Sequence, residues 1–572
     1  MKLVSTLIAG IWLCIHFFAG PTFAASGLEE LNTLPVQDGG RIKPFEVYAK
    51  ETLELIYGKS TYEGRPATEI ILTWLLQPEA WQTREFVEIR FGELKKRLGF
   101  EETRKHFSLK EITDSDRFSE VLQELNSKRE SKEKLNPYFQ AVQRLENQIF
   151  LFKELVSGNL FRFLPPKDVA VGATVHWRGL PDLDETEQLA FQGFIKNFIA
   201  YLGAQVGASS SSVATGSDSQ QTGSTSDLQA KAMATNESLR QFKELGKKTN
   251  PTLYNVEDKI KVEVHLVHFH PFKWSWICYL LGAVLGFLSW ILAKPVYYRG
   301  AWFLSVLGLL LNIYGFALRV YVMGRPPVSN MYETVVWVGF GAVIFAMAIE
   351  GFYKWRFVLS AGALVGAGCL ALADAAPAVL DGSLQPLEPV LRSNFWLLVH
   401  VMTITISYAA FFLAFALGDL GLFYILKEKS PSPEKIRAIV LAIYRAMQIG
   451  VAFLAPGIIL GGVWADYSWG RFWGWDPKET WALIALLGYL AVLHAKIGGI
   501  IKEFGMIITA VVSFSLVIMA WYGVNFVLGA GLHSYGFGAG GVEYVAAFIG
   551  VHFILVAVSI LKHQRIQKES VN

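Results

Sequence analysis

Nine apolar segments in the second half of the chain limit what it can fold into more than any other feature does. Most of them reach the ~20 residues that a helix needs to cross a bilayer. With 52% hydrophobic and only 18% charged residues, the chain is too apolar for a soluble protein of this length. The sequence therefore predicts a mostly α-helical protein that crosses a membrane about nine times. The apolar segments lie at roughly 273–293, 301–323, 331–350, 357–373, 395–426, 444–463, 479–498, 505–527 and 543–562.

The first residues have the pattern of an export signal. Lys2 precedes an apolar run that ends at Phe18, and small residues follow at Ala24 and Ala25. This pattern predicts a signal peptide in residues 1–25, with an uncleaved membrane anchor as the alternative. Either form would place the residues that follow outside the cytoplasm.

Residues 26–270 predict a mainly helical extracytoplasmic domain. Charged and apolar residues recur there at helical spacing, and Asn136-Pro137 has the form of an N-cap followed by proline in the first turn. The stretch near 208–227 is rich in Ser and Thr and cannot bury a core, so we expect a disordered loop there. No catalytic motif occurs in this part of the sequence.

Charge and cysteine content exclude several classes of protein. A net charge of +3 gives no reason to expect a nucleic-acid partner. The three cysteines lie in apolar segments and form no CxxC, which argues against a dithiol redox role, a Cys-based zinc site and a c-type cytochrome. His265, His268 and His270 precede the first span, and they fit either a metal site or histidines at a membrane surface.

The basic residues predict the orientation in the membrane. If the domain before the first span is outside, the cytoplasmic loops hold ten Lys or Arg and the C-terminal tail three more, while the outside loops hold four. This difference fits the positive-inside rule. The connection between the sixth and seventh spans, which includes residues 464–481, is then on the outside.

Residues 464–481 hold five Trp, one Phe and one Tyr in eighteen positions. Gly470, Gly474 and Pro477 interrupt this stretch, which we name the Trp-rich segment, so it is not one regular helix. An aromatic belt at the membrane surface is one interpretation. The other is a site for a large, flat, apolar ligand with polar corners, such as a porphyrin.

The pattern of the Trp-rich segment resembles a known signature. It is similar to the "WWD" signature of the haem-handling proteins of cytochrome c biogenesis, and most similar to that of the CcsA (ResC) family of the System II pathway. Asn330–Glu333 and Gly529–Gly536 also resemble motifs of that family, so the resemblance covers about residues 273–563. The signature residues are Trp469-Gly-x-x-Trp473-Gly-Trp475-Asp476-Pro477-Lys478-Glu479.

Two histidines bracket the Trp-rich segment on the predicted outer side. His400 is about five residues into the fifth span, and His533 is in the loop before the last span. Two neutral imidazoles give a six-coordinate haem iron, although a single histidine at a membrane boundary is often structural. The resemblance implies that both histidines ligate haem iron, and that the surrounding haem loop includes Trp469, Trp473, Trp475 and Asp476.

His494 lies deep in the seventh span, where an ionisable side chain is a functional candidate. The resemblance implies a second haem site, inside the membrane, with His494 as an iron ligand. The other ligand of that site would come from a CcsB (ResB)-like membrane protein, or from His16 or His552 of this chain. His552 is otherwise a polar contact between helices.

Four arginines on the outer side, and Asp476, each have two interpretations. Guanidinium groups can bind haem propionates, or they can extend to the membrane surface. Asp476 precedes Pro477 and so fits an N-cap, and the resemblance adds a role in shaping the haem loop. The arginines are Arg319, Arg325, Arg392 and Arg471.

The resemblance implies a cytochrome c biogenesis protein of the bacterial inner membrane, with the N-terminal domain and the Trp-rich segment on the periplasmic side. It would export haem b as its substrate and present it for thioether attachment to the CxxCH of apocytochrome c, within a haem lyase (holocytochrome c synthase) complex. No residue of this chain would act as the catalyst, because the apocytochrome supplies the thiols. The implied partners are a CcsB-like protein, apocytochrome c and a thiol-reducing thioredoxin-like protein. A quinol-linked haem b redox subunit and a haem transporter without a ligation role are the alternatives.

Overall fold

The structure is a computed structural model that describes most of the chain. The predicted leader in residues 1–25 lies outside the described residues, as do His16, Arg392 and His533. The described residues are 27–131, 135–168, 175–214, 218–376, 380–387, 394–428, 431–528, 531 and 541–571.

Contacts divide the chain into two compact units, with the boundary between Phe269 and His270. The first unit combines helices with three two-stranded sheets. Its elements are α1 (Glu29–Asn32), β1 (Pro35–Asp38), β2 (Arg41–Pro44), α2 (Phe45–Tyr57), β3 (Thr61–Tyr62), β4 (Arg65–Pro66), α3 (Ala67–Leu76), α4 (Pro78–Gln82), β5 (Glu85–Glu88), α5 (Gly92–Leu98), β6 (His106–Ser108), α6 (Leu109–Thr113), α7 (Asp116–Glu130), α8 (Pro137–Val156), a 3-10 turn (Leu180–Asp182), α9 (Glu185–Ala214), α10 (Asp218–Thr249), α11 (Pro251–Tyr254) and α12 (Glu257–Phe269). Strand β1 pairs with β2, β3 with β4 and β5 with β6, each pair antiparallel.

Helix α8 shows how the sequence builds the core of the first unit. Asn136 Oδ1 accepts a hydrogen bond from the N–H of Phe139 at 2.9 Å, and proline follows Asn136, which confirms the predicted helix start. The apolar stripe of α8 is buried. The ring centroid of Phe152 lies 5.4 Å from that of Trp74 and 5.1 Å from that of Phe86, so the helix packs into an aromatic core.

Helix covers both ends of the Ser- and Thr-rich stretch in the first unit. Helix α9 continues to Ala214 and α10 begins at Asp218, while residues 215–217 lie outside the described ranges. Once a helix has begun, each further residue is added at little cost, and this favours helix even in a polar sequence. The disorder expected near 208–227 remains a prediction that the described backbone does not support.

The three histidines before the first span have no arrangement that could hold a metal. His268 Nε2 lies 2.7 Å from Glu46 Oε1 within the first unit. Across the described ranges, no group of three or more His, Cys, Asp or Glu side chains could hold a metal ion. Both interpretations of these histidines remain predictions.

The second unit is a bundle of long apolar helices. Nine helices among the described residues are long and apolar enough to cross a membrane, which confirms the predicted number. The elements are α13 (Pro271–Leu292), α14 (Pro295–Met323), α15 (Met331–Tyr353), α16 (Val358–Ala375), α17 (Asn394–Trp396), the π-helical turn π1 (Leu397–Val401), α18 (Met402–Lys427), α19 (Pro433–Trp469), α20 (Pro477–Ile497), α21 (Glu503–Ile518), the π-helical segment π2 (Met519–Leu528) and α22 (Val542–Val571).

Helix α18 is at the centre of the bundle and packs against α15, α16, α19 and α21. Small residues allow the close approach, as in other membrane helices. A Cβ added to Gly418 of α18 would lie 2.9 Å from a methyl carbon of Val511 of α21. Phe411 of α18 stacks on Tyr489 of α20 with ring centroids 3.7 Å apart. The start of α18, and π1 just before it, also pack against α19.

Helix α19 is longer than the span predicted at 444–463, because it runs for 37 residues from Pro433 to Trp469. Its two ends are polar or aromatic, so hydropathy alone does not detect them. Backbone hydrogen bonding nevertheless continues through them, since extending a helix costs less than ending it at a membrane boundary. The first residues of the Trp-rich segment are therefore helical.

Candidate functional site

The non-helical part of the Trp-rich segment is a turn between two spans. Helix α19 ends at Trp469, and Gly470 then takes a left-handed conformation with φ 70° while its N–H donates to Asp466 O at 2.9 Å. Helix α20 begins at Pro477. This confirms that the segment is not one regular helix, and it narrows the loop predicted at 464–481 to residues 470–476.

Glu479 holds this turn in place. Its Oε2 accepts hydrogen bonds from the N–H of Gly474 at 2.9 Å and of Asp476 at 3.2 Å, and its Oε1 accepts one from Arg471 Nη1 at 3.3 Å. Asp476 Oδ1 accepts from the N–H of Lys478 at 3.0 Å, which confirms the N-cap interpretation and forms a capping box with Glu479. Our sequence reasoning missed Glu479, although its spacing from Asp476 is the capping-box signal.

The tryptophans do not form one stacked sheet. The ring centroids of Trp464 and Trp469 are 5.0 Å apart with the planes tilted by 56°, and those of Trp473 and Trp475 are 5.8 Å apart at 89°. Trp475 is 70% exposed and has φ 55°. A large residue in this left-handed region costs about 1–3 kcal/mol, so the surrounding turn must impose the conformation. The guanidinium carbon of Arg471 lies 5.7 Å from the centre of the Trp469 ring.

His400 is held in one orientation by helix α19. It lies in π1, and its Nδ1 is 2.9 Å from the carbonyl oxygen of Gly457. Because a carbonyl oxygen only accepts, Nδ1 carries the proton and the lone pair of the neutral ring is at Nε2. The ring stacks on Trp464 with centroids 6.0 Å apart, and a Cβ at Gly461 would lie 2.5 Å from His400 Cε1. The contacts with Trp464 and Gly461 join residues about sixty positions apart, so no local sequence pattern indicates them.

A cavity of about 150 Å³ lies beside His400 and the Trp-rich segment. Its wall is mostly apolar and aromatic, with a few polar groups, which is typical of a site for a small molecule. It brings together residues from the Asn330–Glu333 motif, the fifth span and the Trp-rich segment. The lining residues are Val328, Ser329, Asn330, Met331, Thr334, His400, Val401, Ile404, Thr405, Tyr408, Ile458, Gly461, Gly462, Trp464, Phe472, Trp473, Lys478, Glu479, Ala482 and Trp521.

The candidate site residues fall into different places around this cavity. His400 and Trp473 line it, while Trp469 packs against Trp464 at its edge. Trp475 and Asp476 are in the turn and do not line the cavity among the described residues. Sequence reasoning therefore found two of the lining residues but could not separate them from their neighbours in the turn.

Glu333 forms ion pairs with two of the four candidate arginines. Its Oε1 accepts from Arg319 Nη2 at 2.9 Å, and its Oε2 accepts from Arg325 Nη1 at 3.0 Å and from the hydroxyl of Ser329 at 2.8 Å. Arg319, Arg325 and Glu333 are 5%, 6% and 1% exposed, so this ion-pair cluster is buried. Neither membrane-surface extension nor propionate binding describes these two arginines. Asn330 Oδ1 accepts from the N–H of Glu333 at 2.8 Å and begins α15, so the Asn330–Glu333 motif fixes this cluster.

His494 lies on α20, far from the Trp-rich segment. By helical rise it is about 26 Å along the helix axis from Pro477. Its Nδ1 is 2.7 Å from the carbonyl oxygen of Leu490, which again puts the proton on Nδ1 and the lone pair on Nε2. The side chain is exposed on the surface of the helix bundle. The structure therefore does not bring His494 into the cavity beside His400.

His552 has a different environment. Its Nδ1 is 2.7 Å from the carbonyl oxygen of Phe548, and its Nε2 is 3.2 Å from Asp419 Oδ2 on α18. Both ring nitrogens are bonded within this chain. The contacts support the interpretation of His552 as a polar contact between helices rather than as an iron ligand.

His533 lies outside the described residues, but one residue near it is described. Gly531 has φ 96°, and an added Cβ there would clash with the carboxylate of Asp476 and lie 2.9 Å from Pro477 Cδ. The chain two residues before His533 therefore touches the turn of the Trp-rich segment. Close packing of a backbone with positive φ is a reason for glycine at this position.

The fold and the cavity define a class: a multi-pass helical membrane protein with a cavity that is partly walled by tryptophans. The chain belongs to the CcsA family of cytochrome c biogenesis proteins. A family model described as Cytochrome C assembly protein matches residues 328–533, which include two of the three motifs and the first five residues of the third. This confirms the resemblance found in the sequence.

Known relatives cover different parts of the chain. The cytochrome c biogenesis protein CcsA of Parasynechococcus marenigrum is 32% identical over 247 residues, which are 38% of this chain and 80% of that protein. Protein NrfI of Wolinella succinogenes is 28% identical over 525 residues, or 87% of this chain, and this chain spans about half (53%) of its length. A solved structure named Cytochrome c Heme Lyase CcmF aligns with TM-score 0.37 and 15% identity over 52% of this chain and 50% of that one, a similarity too low to support an argument.

Proposed function

We propose that this cytochrome c biogenesis protein binds haem, as its substrate, in the cavity beside the Trp-rich segment and presents it to apocytochrome c. The position and contacts of His400 support the proposal most strongly. Its ring lines the cavity, stacks on Trp464 and has its Nδ1 proton fixed by the carbonyl of Gly457. A backbone carbonyl bonded to one imidazole nitrogen is the usual support for a histidine that ligates metal through the other.

The cavity fits the shape and polarity of haem. Trp464, Phe472, Trp473 and Trp521 provide aromatic walls for a flat apolar ring. We infer that haem b is the form bound, because thioether attachment needs free vinyl groups.

We propose His533 as the second axial ligand of this haem. Gly531 contacts Asp476 and Pro477, so the chain that leads to His533 reaches the turn next to the cavity. The family match also extends to residue 533. Two imidazoles would give a six-coordinate iron and leave the porphyrin edge open to the apocytochrome.

The role of this chain in the attachment is to position the substrate. Each thiol of the apocytochrome CxxCH adds across one haem vinyl group: sulfur bonds to one carbon and the thiol hydrogen goes to the other. This addition needs no oxidant and no nucleophile from this chain. Orientation and exclusion of water are what the Trp-rich segment contributes, as a subunit of a haem lyase complex.

We further propose that His494 belongs to a separate, inner haem site that feeds the cavity. Its exposed position on α20 and the distance of about 26 Å along that helix from Pro477 support a site shared with another membrane protein. A CcsB-like protein is the proposed partner. A thioredoxin-like protein would keep the apocytochrome thiols reduced.

We propose that the Trp-rich segment and residues 26–270 are on the periplasmic side of a bacterial inner membrane. The support is the excess of Lys and Arg in the connections that would then be cytoplasmic. A periplasm-specific reporter fused after residue 230 should be active. Activity of a cytoplasm-specific reporter at the same position would reverse the orientation.

Absorption spectroscopy tests the haem proposal directly. The protein, purified in detergent with its CcsB-like partner, should carry haem with a six-coordinate, bis-imidazole spectrum. Replacing His400 and His533 together by Ala should remove that spectrum and stop cytochrome c maturation. Unchanged haem content and an unchanged spectrum in the double variant would show that the cavity is not the haem site.

A further inference from the structure

The cavity contains one cationic side chain whose charge no carboxylate of the described residues neutralises at close range. Lys478 is the only Lys or Arg among the described lining residues. Its Nζ donates a hydrogen bond to the amide oxygen of Asn525 at 3.3 Å and has no carboxylate oxygen within 4.0 Å in the described part of the chain. Glu479, the neighbouring acid, instead accepts from Arg471 and from two backbone N–H groups.

Asn525 holds the ammonium group of Lys478 toward the cavity. Asn525 is 4% exposed, and its Nδ2 donates to the carbonyl oxygen of Trp521 at 2.7 Å. That bond fixes the amide so that its oxygen points to Lys478. Because Trp521 also lines the cavity, the two residues connect the wall of the cavity to the position of the ammonium group.

The ammonium group of the half-buried Lys478 makes one long hydrogen bond to a neutral amide in a cavity walled largely by aromatic and aliphatic side chains, so its charge is only partly compensated. Burying a charge is costly unless an opposite charge or several hydrogen bonds offset the lost hydration. The buried arginines nearby, Arg319 and Arg325, have more partners, since each pairs with Glu333 and donates to backbone carbonyls. A carboxylate that enters with the substrate would compensate Lys478 in the same way.

We propose that Lys478 is a positioning residue that binds a propionate carboxylate of the porphyrin. This inference rests on the proposed function, because it takes haem as the substrate of the cavity. The vinyl groups of haem lie on the edge away from the propionates. Anchoring a propionate at Lys478 therefore selects which edge of the ring faces the apocytochrome.

Haem and its dimethyl ester, in which both propionates are uncharged, distinguish this role from a structural one. With the full-length protein and its partner in detergent, we expect wild type to bind haem about tenfold more tightly than the diester, as for one charge-assisted hydrogen bond. Lys478→Met should lose that preference and leave diester affinity unchanged. Lys478→Arg should keep the preference, and Lys496→Met, at the other end of α20, should behave as wild type.

Two outcomes would overturn the proposal. Lys478→Met could lower the affinity for haem and for the diester equally, which is the result of a structural role, or it could change neither. The proposed function is tested separately by His400→Ala in the same titration. If that variant binds both porphyrins as wild type does, the proposal that haem binds in this cavity is wrong, independently of the result for Lys478.

Discussion

His400 and His552 make the same contact with Nδ1, but their rings lie in different surroundings. Each donates Nδ1–H to a backbone carbonyl: His400 to Gly457 at 2.9 Å, and His552 to Phe548 at 2.7 Å. His552 Nε2 lies 3.2 Å from the carboxylate of Asp419, whereas His400 lines a Trp-walled cavity. A fixed Nδ1 therefore does not by itself mark an iron ligand. The two histidines differ instead in what surrounds the ring, which is a Trp-walled cavity for His400 and the carboxylate of Asp419 for His552.

Replacing His400 should have the largest effect on haem. Loss of a residue that merely orients a metal ligand lowers affinity roughly 10–100-fold, so loss of the ligand itself should cost at least that much. We expect His400→Ala to purify with less than about a tenth of the haem of wild type, while His552→Ala retains most of it. Haem per protein, measured by absorption, checks both. Equal losses of haem in the two variants would show that His400 and His552 do not differ in haem binding.

His494 is the third histidine to compare with His400 and His552. Its Nδ1 also donates to a backbone carbonyl, of Leu490 at 2.7 Å, but its ring is exposed on the bundle surface and not in the cavity. As a ligand of an inner site it should, when changed to Ala, starve the cavity and lower haem content several-fold. Added imidazole should occupy the vacant coordination position and restore part of the haem. Wild-type haem content and wild-type cytochrome c maturation in His494→Ala would show that His494 is not part of an inner haem site.

Gly461 tests whether the position of the His400 ring matters, without changing the ring itself. An added Cβ would lie 2.5 Å from His400 Cε1, so the ring must move. Overpacking of this kind costs about 1–3 kcal/mol. We expect Gly461→Ala to lose haem several-fold and to shift the haem spectrum. Gly368→Ala, a helical glycine with nothing within 4 Å of an added Cβ, is the matched control and should leave both unchanged.

The sequence predicted the membrane architecture because hydropathy is a local property. The number of spans, the interruption of the Trp-rich segment and the N-cap at Asp476 were all predicted, and all are confirmed. Each depends on residues within about one helical span of one another. The boundaries of α19 were wrong because its polar and aromatic ends carry no hydropathy signal.

The contacts of the site could not be predicted, because they join residues far apart in the chain. Arg319 and Arg325 are candidates for propionates in the sequence, and in the structure both pair with Glu333, which belongs to α15. The stacking of His400 on Trp464 depends on how α18 packs against α19, and no periodicity in either helix encodes that pairing. Glu479 is the exception, since its spacing from Asp476 is a local signal that the aromatic pattern obscured.

The smallest effect on haem, and the sharpest test of the comparison, should come from the pair of Asp419 and His552. The two side chains are 3.2 Å apart between α18 and α22, and the ring of His552 also packs 4.9 Å from the ring of Phe415. Because Asp419 and His552 bond each other, removing either one leaves the other as a polar group in an apolar environment.

Asp419→Ala and His552→Ala should each therefore lower the stability of the bundle by about 1–3 kcal/mol. The double variant should cost less than the sum of the two, because it removes both polar groups at once, with a coupling on the order of 0.5–3 kcal/mol. Reversible unfolding in detergent, followed by helical circular dichroism, measures the free energy of unfolding of wild type, the two single variants and the double variant. Haem per folded protein should stay within about twofold of wild type, because a change in stability alone does not alter the ligand set. Additive losses of stability, together with loss of haem in His552→Ala, would instead indicate that His552 is an iron ligand. His400 and His552 would then have the same function in spite of their different contacts.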